Sequence, residues 1–223
     1  MIFQVHQSDP TCPSTISGWW RPSIVSALIV SFLISTGCGE IDDDTFGSAE
    51  DSVIGVGIPT DVMVIHSTEQ HGQLWCWAAS AQMALSTQQV DLSQESIVRM
   101  LSGGRLVDRP GGPIEFLSLC GEYPTPGGTR HVRCEFALGP PPLDFLIHSL
   151  NEYQPVILGC QNPGSDIGHA VVVTAVIYRD TITGPELIRV IVRDPAPSRG
   201  KRLLSAEEYE NSMWWTVFKA TPY

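Results

Sequence analysis

Three features of the sequence point to an α+β domain. A run of small residues and strong helix formers begins at Cys76 (CWAASAQMAL). Two apolar stretches, Gly168–Ile177 and Leu187–Pro195, read as neighbouring antiparallel strands joined by a short turn. Helical spacing of apolar residues upstream of those strands, at Gln94–Ser102 and Pro142–Tyr153, puts a helical part first and a sheet second. The chain has 223 residues, 43% of them hydrophobic and 17% charged, which suits one globular domain of ordinary size. Its 13 Lys and Arg stand against 24 Asp and Glu, a formal net charge of -11. Such a surface is unsuited to neutralising phosphates, so nucleic acid is excluded as a partner. It also lacks the basic patch that would hold it on anionic lipid.

The N-terminal residues read as a leader. Ile24–Thr36 is an unbroken run of 13 apolar and small residues after Arg21. A membrane span needs about 20, so this length fits the hydrophobic region of an export signal. The run ends in Ser35-Thr36-Gly37-Cys38, which resembles a bacterial lipobox, with Cys38 as the candidate lipidated N-terminus. It departs from that pattern at Ser35, where Leu is usual. Cleavage at another small residue and a misread start are the alternatives. The next stretch, 39–54, holds six acidic residues between Glu40 and Asp51 and few large apolar ones. It reads as a solvated linker. The folded domain is expected over 55–223, with residues 1–38 as leader.

The polar segment His66–Gly72 reads as a loop, which sets Cys76 in the first turn of the following helix. The positive end of a helix macrodipole favours anions, and a thiolate is the reactive form of cysteine. The bland reading of a Cys on an apolar helix is a small buried hydrophobe. Asp91–Gln94 offers capping to the helix that follows. Leu143, Leu146, Ile147 and Leu150 mark the next one.

Gln154–Gly159 reads as a short buried strand, followed by the strand that opens with Gly168-His169. A turn over Asp180–Gly184 returns the chain to Asp194-Pro195, where proline stops the second strand. A turn centred on Thr181-Ile182 sets His169 directly opposite Asp194. A register shift makes them diagonal neighbours, still within reach. A cysteine at a helix start and a His–Asp pair supply a nucleophile, a proton shuttle and an orienting carboxylate. Asp194 could otherwise serve only as a turn residue. A short helix is expected at Ser205–Asn211 and a late strand at Met213–Phe218. There Trp214 and Trp215 are expected in the core, with an indole shield over the His–Asp bond as the alternative role.

Gln70, five intervening residues, then Cys76-Trp77-Ala78 opening a helix, resembles the papain-like cysteine peptidases. His169-Ala170-Val171 at the head of an apolar strand is similar to the histidine strand of that family. Trp75–Ala79 and Arg193-Asp194-Pro195 resemble two bacterial branches more closely. One is related to plant-pathogen effectors that cut host immune regulators; the other comprises the double-glycine peptidases that process bacteriocin leaders. Both branches use Asp as the third residue, where papain has Asn. The resemblance spans Thr68–Ala220 and implies a two-part fold. Its Cys helix packs on an antiparallel sheet that carries His169 and Asp194. It further implies hydrolysis of a peptide or protein substrate through a Cys76 acyl-enzyme, without cofactor or metal. By the same resemblance Gln70 joins the Cys76 N–H in the oxyanion hole, with Gln73 as runner-up. Acyl transfer or deamidation by the same three residues is one alternative activity. A non-catalytic binding lipoprotein is the other.

The remaining cysteines are read one at a time. Cys120 and Cys134 bracket a Gly/Pro-rich loop, and a disulfide between them suits an exported protein. A zinc site with His131 would lack a fourth ligand at any usual spacing. Cys160 reads as a free, buried thiol.

Overall fold

The valine-rich strand that begins at His169 is buried without interruption from Ala170 to Thr174. Ala170 and Val172 pack into one apolar cluster, Val171 and Val173 into another. Successive side chains of a strand point to opposite faces, so this strand is covered on both sides. The structure is a computed structural model that describes residues 52–161 and 168–222, all within one compact unit. Cys38, the leader and residues 39–51 lie outside the described residues.

The elements run β1 (Ser52–Gly57), α1 (Thr60–His66), α2 (Cys76–Ser86), α3 (Gln94–Leu101) and α4 (Pro113–Leu117). The hairpin β2 (Gly121–Thr125) and β3 (Gly128–Leu138) follows, then α5 (Leu143–Asn151) and β4 (Val156–Cys160). The chain closes with β5 (His169–Thr181), β6 (Gly184–Asp194), β7 (Gly200–Leu204), α6 (Ala206–Glu210) and β8 (Trp214–Pro222). All strand pairs are antiparallel, in the order β2-β3-β8-β4-β5-β6-β7. The long β5 takes β4 against its first half and β1 against its second on one edge, and β6 on the other.

Helices cover both faces of the sheet. On one face α2, α3 and α4 pack over Ile157, Ala170, Val172, Trp214 and Phe218. On the other, Leu146 and Leu150 of α5 and Met63 of α1 pack over Val156, Leu158, Val171, Val192 and Trp215. Helix α2 is apolar almost all round: Trp77, Ala78, Ala79, Ala81, Met83, Ala84 and Leu85 are buried. Its alanines let it lie close against β5. α3 begins at an N-cap, the Ser93 hydroxyl accepting from Ser96 N at 3.2 Å.

Three expectations are corrected here. The linker does not reach residue 54, because Ser52–Gly57 pairs with β5. The segment between Cys120 and Cys134 is a β-hairpin, not a loop. Its proline is tolerated because β2 is an edge strand, and Gly128 (φ 112°) supplies the positive φ beside the turn. The β5–β6 turn is Ile182-Thr183, one residue later than expected, because Thr181 pairs with Gly184. One extra residue on each strand, Thr174 and Ile188, offsets the other, and the register at the open end pairs Val172 with Arg193. His169 and Asp194 are therefore diagonal neighbours rather than directly opposed. Cys120 and Cys134 form a disulfide, so the zinc reading with His131 falls. Among the described residues no helix is long and apolar enough to cross a membrane.

Candidate active site

Cys76 is the first residue of α2, and His169 is the first residue of β5. Ser80 lies one turn after Cys76, on the same helix face. Its hydroxyl donates to Ala170 O at 3.2 Å, so a buried bond fastens the start of the helix to the start of the strand. Asp194 is the last residue of β6, stopped by Pro195. These three chain ends meet at one end of the sheet.

His169 Nε2 lies 2.6 Å from Asp194 Oδ1. The Cys76 thiol is the other neighbour that favours the charged ring, and with Nε2 taken by Asp194 the nitrogen left for the sulfur is Nδ1. Burial would lower the His169 pKa, but the hydrogen bonds to Asp194 and Cys76 outweigh it. The imidazole is raised from 6.5 to about 9 and is held as imidazolium at neutral pH. The Asp194 side chain is fully buried. Burial pushes its pKa up, but the His169 bond, the His169 charge, the Ala196 N–H and Arg202 overrule it and hold the carboxyl ionised. Four donors meet its two oxygens. His169 and Ala196 N (3.0 Å) meet Oδ1; Arg202 Nε (2.8 Å) and Arg199 Nη1 (3.4 Å) meet Oδ2.

Cys76 and His169 open into a cavity of about 170 Å³ lined also by Pro110, Gly111, Gly159, Met213 and Trp214. One wall is the loop after α3. Trp75 Nε1 donates to Val107 O at 2.9 Å and Trp77 Nε1 to Arg109 O at 3.1 Å. Asp108 accepts from Gln73 N and Leu74 N, just ahead of the Cys76 helix. The loop and α2 are thus fixed to one another. Gly111 lies against the Trp77 ring, where an added Cβ would stand 2.4 Å from the indole. At the opposite wall a Cβ on Gly159 would stand 2.1 Å from Trp214.

Gln70 sits beside the site, with its N–H donating to Pro195 O at 2.8 Å. Its side-chain amide donates to Gly72 O (2.9 Å) and Gln73 O (2.7 Å), so both N–H groups serve its own loop. The Gln73 side chain is exposed. Trp214 belongs to the core, 5.3 Å from Phe116 between ring centroids, and also lines the cleft. Trp215 stacks on Phe145 in the second core. Cys160 is free and buried, its thiol pushed up to about 12 by burial first and then by Glu208. The sequence reading missed Arg202, Glu208, Ser80 and the Asp108 loop. Only Ser205 and Glu208 carried a sequence mark, the capping box that α6 indeed forms.

A sequence model of the family described as papain-like cysteine protease AvrRpt2 matches residues 55–213. Among solved structures, the chain is similar to the peptidase domain of Streptococcus ComA, a bi-functional ABC transporter involved in a quorum-sensing pathway. That likeness has a TM-score of 0.46 and 14% identity, covering 70% of this chain and 97% of the other. No curated protein matches the sequence.

Proposed function

The chain belongs to the family of papain-like cysteine proteases described by AvrRpt2, and we propose that Cys76, His169 and Asp194 carry its peptide-bond hydrolysis. The observation that supports this assignment is the position of His169, with a carboxylate on Nε2 at 2.6 Å and a thiol on its other side in an open cleft. The Cys76 thiolate attacks the scissile carbonyl carbon, and the carbonyl π pair moves to oxygen. The His169 imidazolium gives its Nδ1 proton to the leaving amine as the C–N bond breaks. Water then loses a proton to the neutral imidazole and attacks the thioester. The thiolate leaves as the acid product departs. Asp194 keeps the ring oriented and favours its charged form.

The oxyanion that appears in each tetrahedral step needs donors. The Cys76 N–H, at the open first turn of α2, is one. Gln70 is the second, six residues before the nucleophile; to serve, its amide exchanges one of its bonds to Gly72 O or Gln73 O for the substrate. Iodoacetamide is expected to label Cys76 before the buried Cys160. Cys76→Ala is expected to abolish cleavage of a peptide library while leaving the circular dichroism unchanged. Full turnover by that variant would remove Cys76 from the mechanism.

Export completes the proposal, with the mature protein as a cell-envelope lipoprotein anchored at Cys38 or as a secreted protein. The apolar run before Cys38 supports it, as does a disulfide of the kind that persists in oxidising compartments. Mass spectrometry of the mature N-terminus tests it: a diacylglyceryl Cys38 is expected, and an unprocessed Met1 would refute export.

A further inference from the structure

The orienting carboxylate of this site is itself held by two further side chains. Arg202, on β7, donates from Nε to Asp194 Oδ2 at 2.8 Å. Its two remaining nitrogens meet Glu208 of α6, Nη1 to Oε2 at 3.0 Å and Nη2 to Oε1 at 2.8 Å. This fork-to-fork pairing fixes the guanidinium plane as a lysine could not. Glu208 is fixed in turn, because its Oε2 also accepts the Ser205 N–H that opens α6 (3.0 Å). We propose that Arg202 and Glu208 are positioning residues of the peptidase, forming with Asp194 a strut of alternating charge that holds the orienting carboxylate against His169. The proposal rests on the assignment of His169 and Asp194 to catalysis.

Sequence and fold explain why these groups meet. Val190 and Val192 of β6 and Leu204 of β7 face the second core. With a strand period of two, Asp194 and Arg202 continue that face beyond the apolar residues. The β6–β7 register pairs Val192 with Arg202 and Asp194 with Gly200, so the arginine reaches one step diagonally to the carboxylate. Arg202 and Glu208 keep 21% and 29% of their side chains exposed, whereas Asp194 keeps none. A lone buried carboxylate would reorient or take up a proton; paired on Oδ2, it keeps Oδ1 free for His169.

Charge makes the strut testable. Among the described residues His169 faces Asp194 from β6, Cys76 from α2 and the protonated Cys160 of β4, its Cα partner. Behind Asp194 stand Arg199, Arg202 and Glu208. Removing the arginine's positive charge leaves His169 before a more negative cluster and should raise its pKa. Removing the charge of Glu208 leaves the cluster less negative and should lower it. A strut with only a mechanical role predicts weakening of the His169–Asp194 bond, and a fall in pKa, for both. Gln is the replacement of choice at Glu208 because it still closes a capping box.

The full chain with Cys76→Ala is titrated by NMR of its imidazoles, His169 being identified by its loss in His169→Ala. In that background Arg202→Gln is expected to raise the His169 pKa by about one pH unit and Glu208→Gln to lower it by about half a unit. Arg202→Lys, which keeps the charge, should stay near the parent value. With Cys76 restored, kcat/KM on fluorescein-labelled casein is expected to fall about tenfold in Arg202→Gln, in kcat rather than KM, through misplacement of the ring. A fall in both variants would still support the strut, as positioning through geometry alone; an unmoved His169 in both, or an unchanged kcat in Arg202→Gln, would overturn it. Should Arg202→Gln fail to fold, Glu208→Gln and Arg202→Lys decide it: an unmoved His169 in Glu208→Gln overturns it. Casein cleavage that survives Cys76→Ala would instead defeat the catalytic assignment, and the titration would still judge the strut.

Discussion

His169 is opposed by burial and supported by two partners, and the balance between them predicts how its neighbours behave. Its pKa near 9 depends first on the Asp194 bond and then on Cys76, both working against desolvation. Asp194→Asn keeps a hydrogen-bonding partner for Nε2 but removes the charge. The His169 pKa should then fall by about 1–2 pH units, and the alkaline limb of kcat/KM should move down with it. The loss of rate should be smaller than in His169→Ala, which would remove the proposed proton shuttle, a contribution typically of about 10²–10⁴-fold. A pH–rate profile for the two variants on one peptide decides this; an Asp194→Asn profile identical to wild type would make Asp194 a turn residue. At this scale the places of Cys76, His169 and Asp194 in the fold were legible because each ends or begins an element next to a sequence mark: a helix run, a Gly, a Pro. Arg202 and Glu208 were not, since their role depends on β7 folding back beside β6 after Pro195. The spacing of Gln70 was legible, but its bonds to Gly72 O and Gln73 O were not, because a side-chain-to-carbonyl bond inside a loop leaves no periodic trace.

Elements with a strong local pattern were read from the sequence, the strands β4 and β8 among them, whereas β1, the β2–β3 hairpin and β7 were not. Helix α2, α3 with its Ser93 cap, α5 and the β5–β6 hairpin each carry their own periodicity or turn chemistry. β1 carries little: Ser52–Gly57 is acidic at its approach and glycine-bearing, and it is a strand because β5 is long enough to offer it an edge. The β2–β3 hairpin looks like a Gly/Pro loop in sequence, yet β3 pairs with β8 from Arg130 to Leu138. Tertiary pairing overrides weak strand propensity there. The Cys120–Cys134 disulfide ties this sheet edge across a sequence separation of 14. A Cys120→Ser, Cys134→Ser variant should lose about 3 kcal/mol of stability by the loop-closure argument. For a domain of this size that corresponds to a Tm about 6–12 °C lower. Calorimetry of the variant beside the wild type measures it, and an unchanged Tm would show that the hairpin is held by pairing with β8 alone.

The molecule as a whole should be most stable on the acid side of neutrality, because its buried titrating groups agree. Asp194 has a folded pKa below its ordinary 3.8, so its contribution is present above that value and lost as pH falls beneath it. His169 has a folded pKa of about 9 against 6.5. Its contribution is complete below 6.5 and is lost as pH rises towards 9. Cys160 and Tyr209, both raised to about 12 by burial, favour the folded state while protonated and add a further loss above their ordinary 9.0 and 10.0. The formal charge of -11 adds growing self-repulsion in the same alkaline direction. Urea unfolding of the full chain should therefore give a plateau between roughly pH 4 and 6.5 and a decline of about 1–3 kcal/mol by pH 9. On the proposed mechanism the same proton on His169 serves fold and catalysis: it stabilises the domain and supplies the leaving amine. His169→Gln should remove most of the decline between pH 6.5 and 9 along with the activity, while the later losses at Cys160 and Tyr209 remain. If the decline persisted undiminished in His169→Gln, the alkaline sensitivity would belong to general charge repulsion, and the imidazolium would contribute nothing to the stability of the fold.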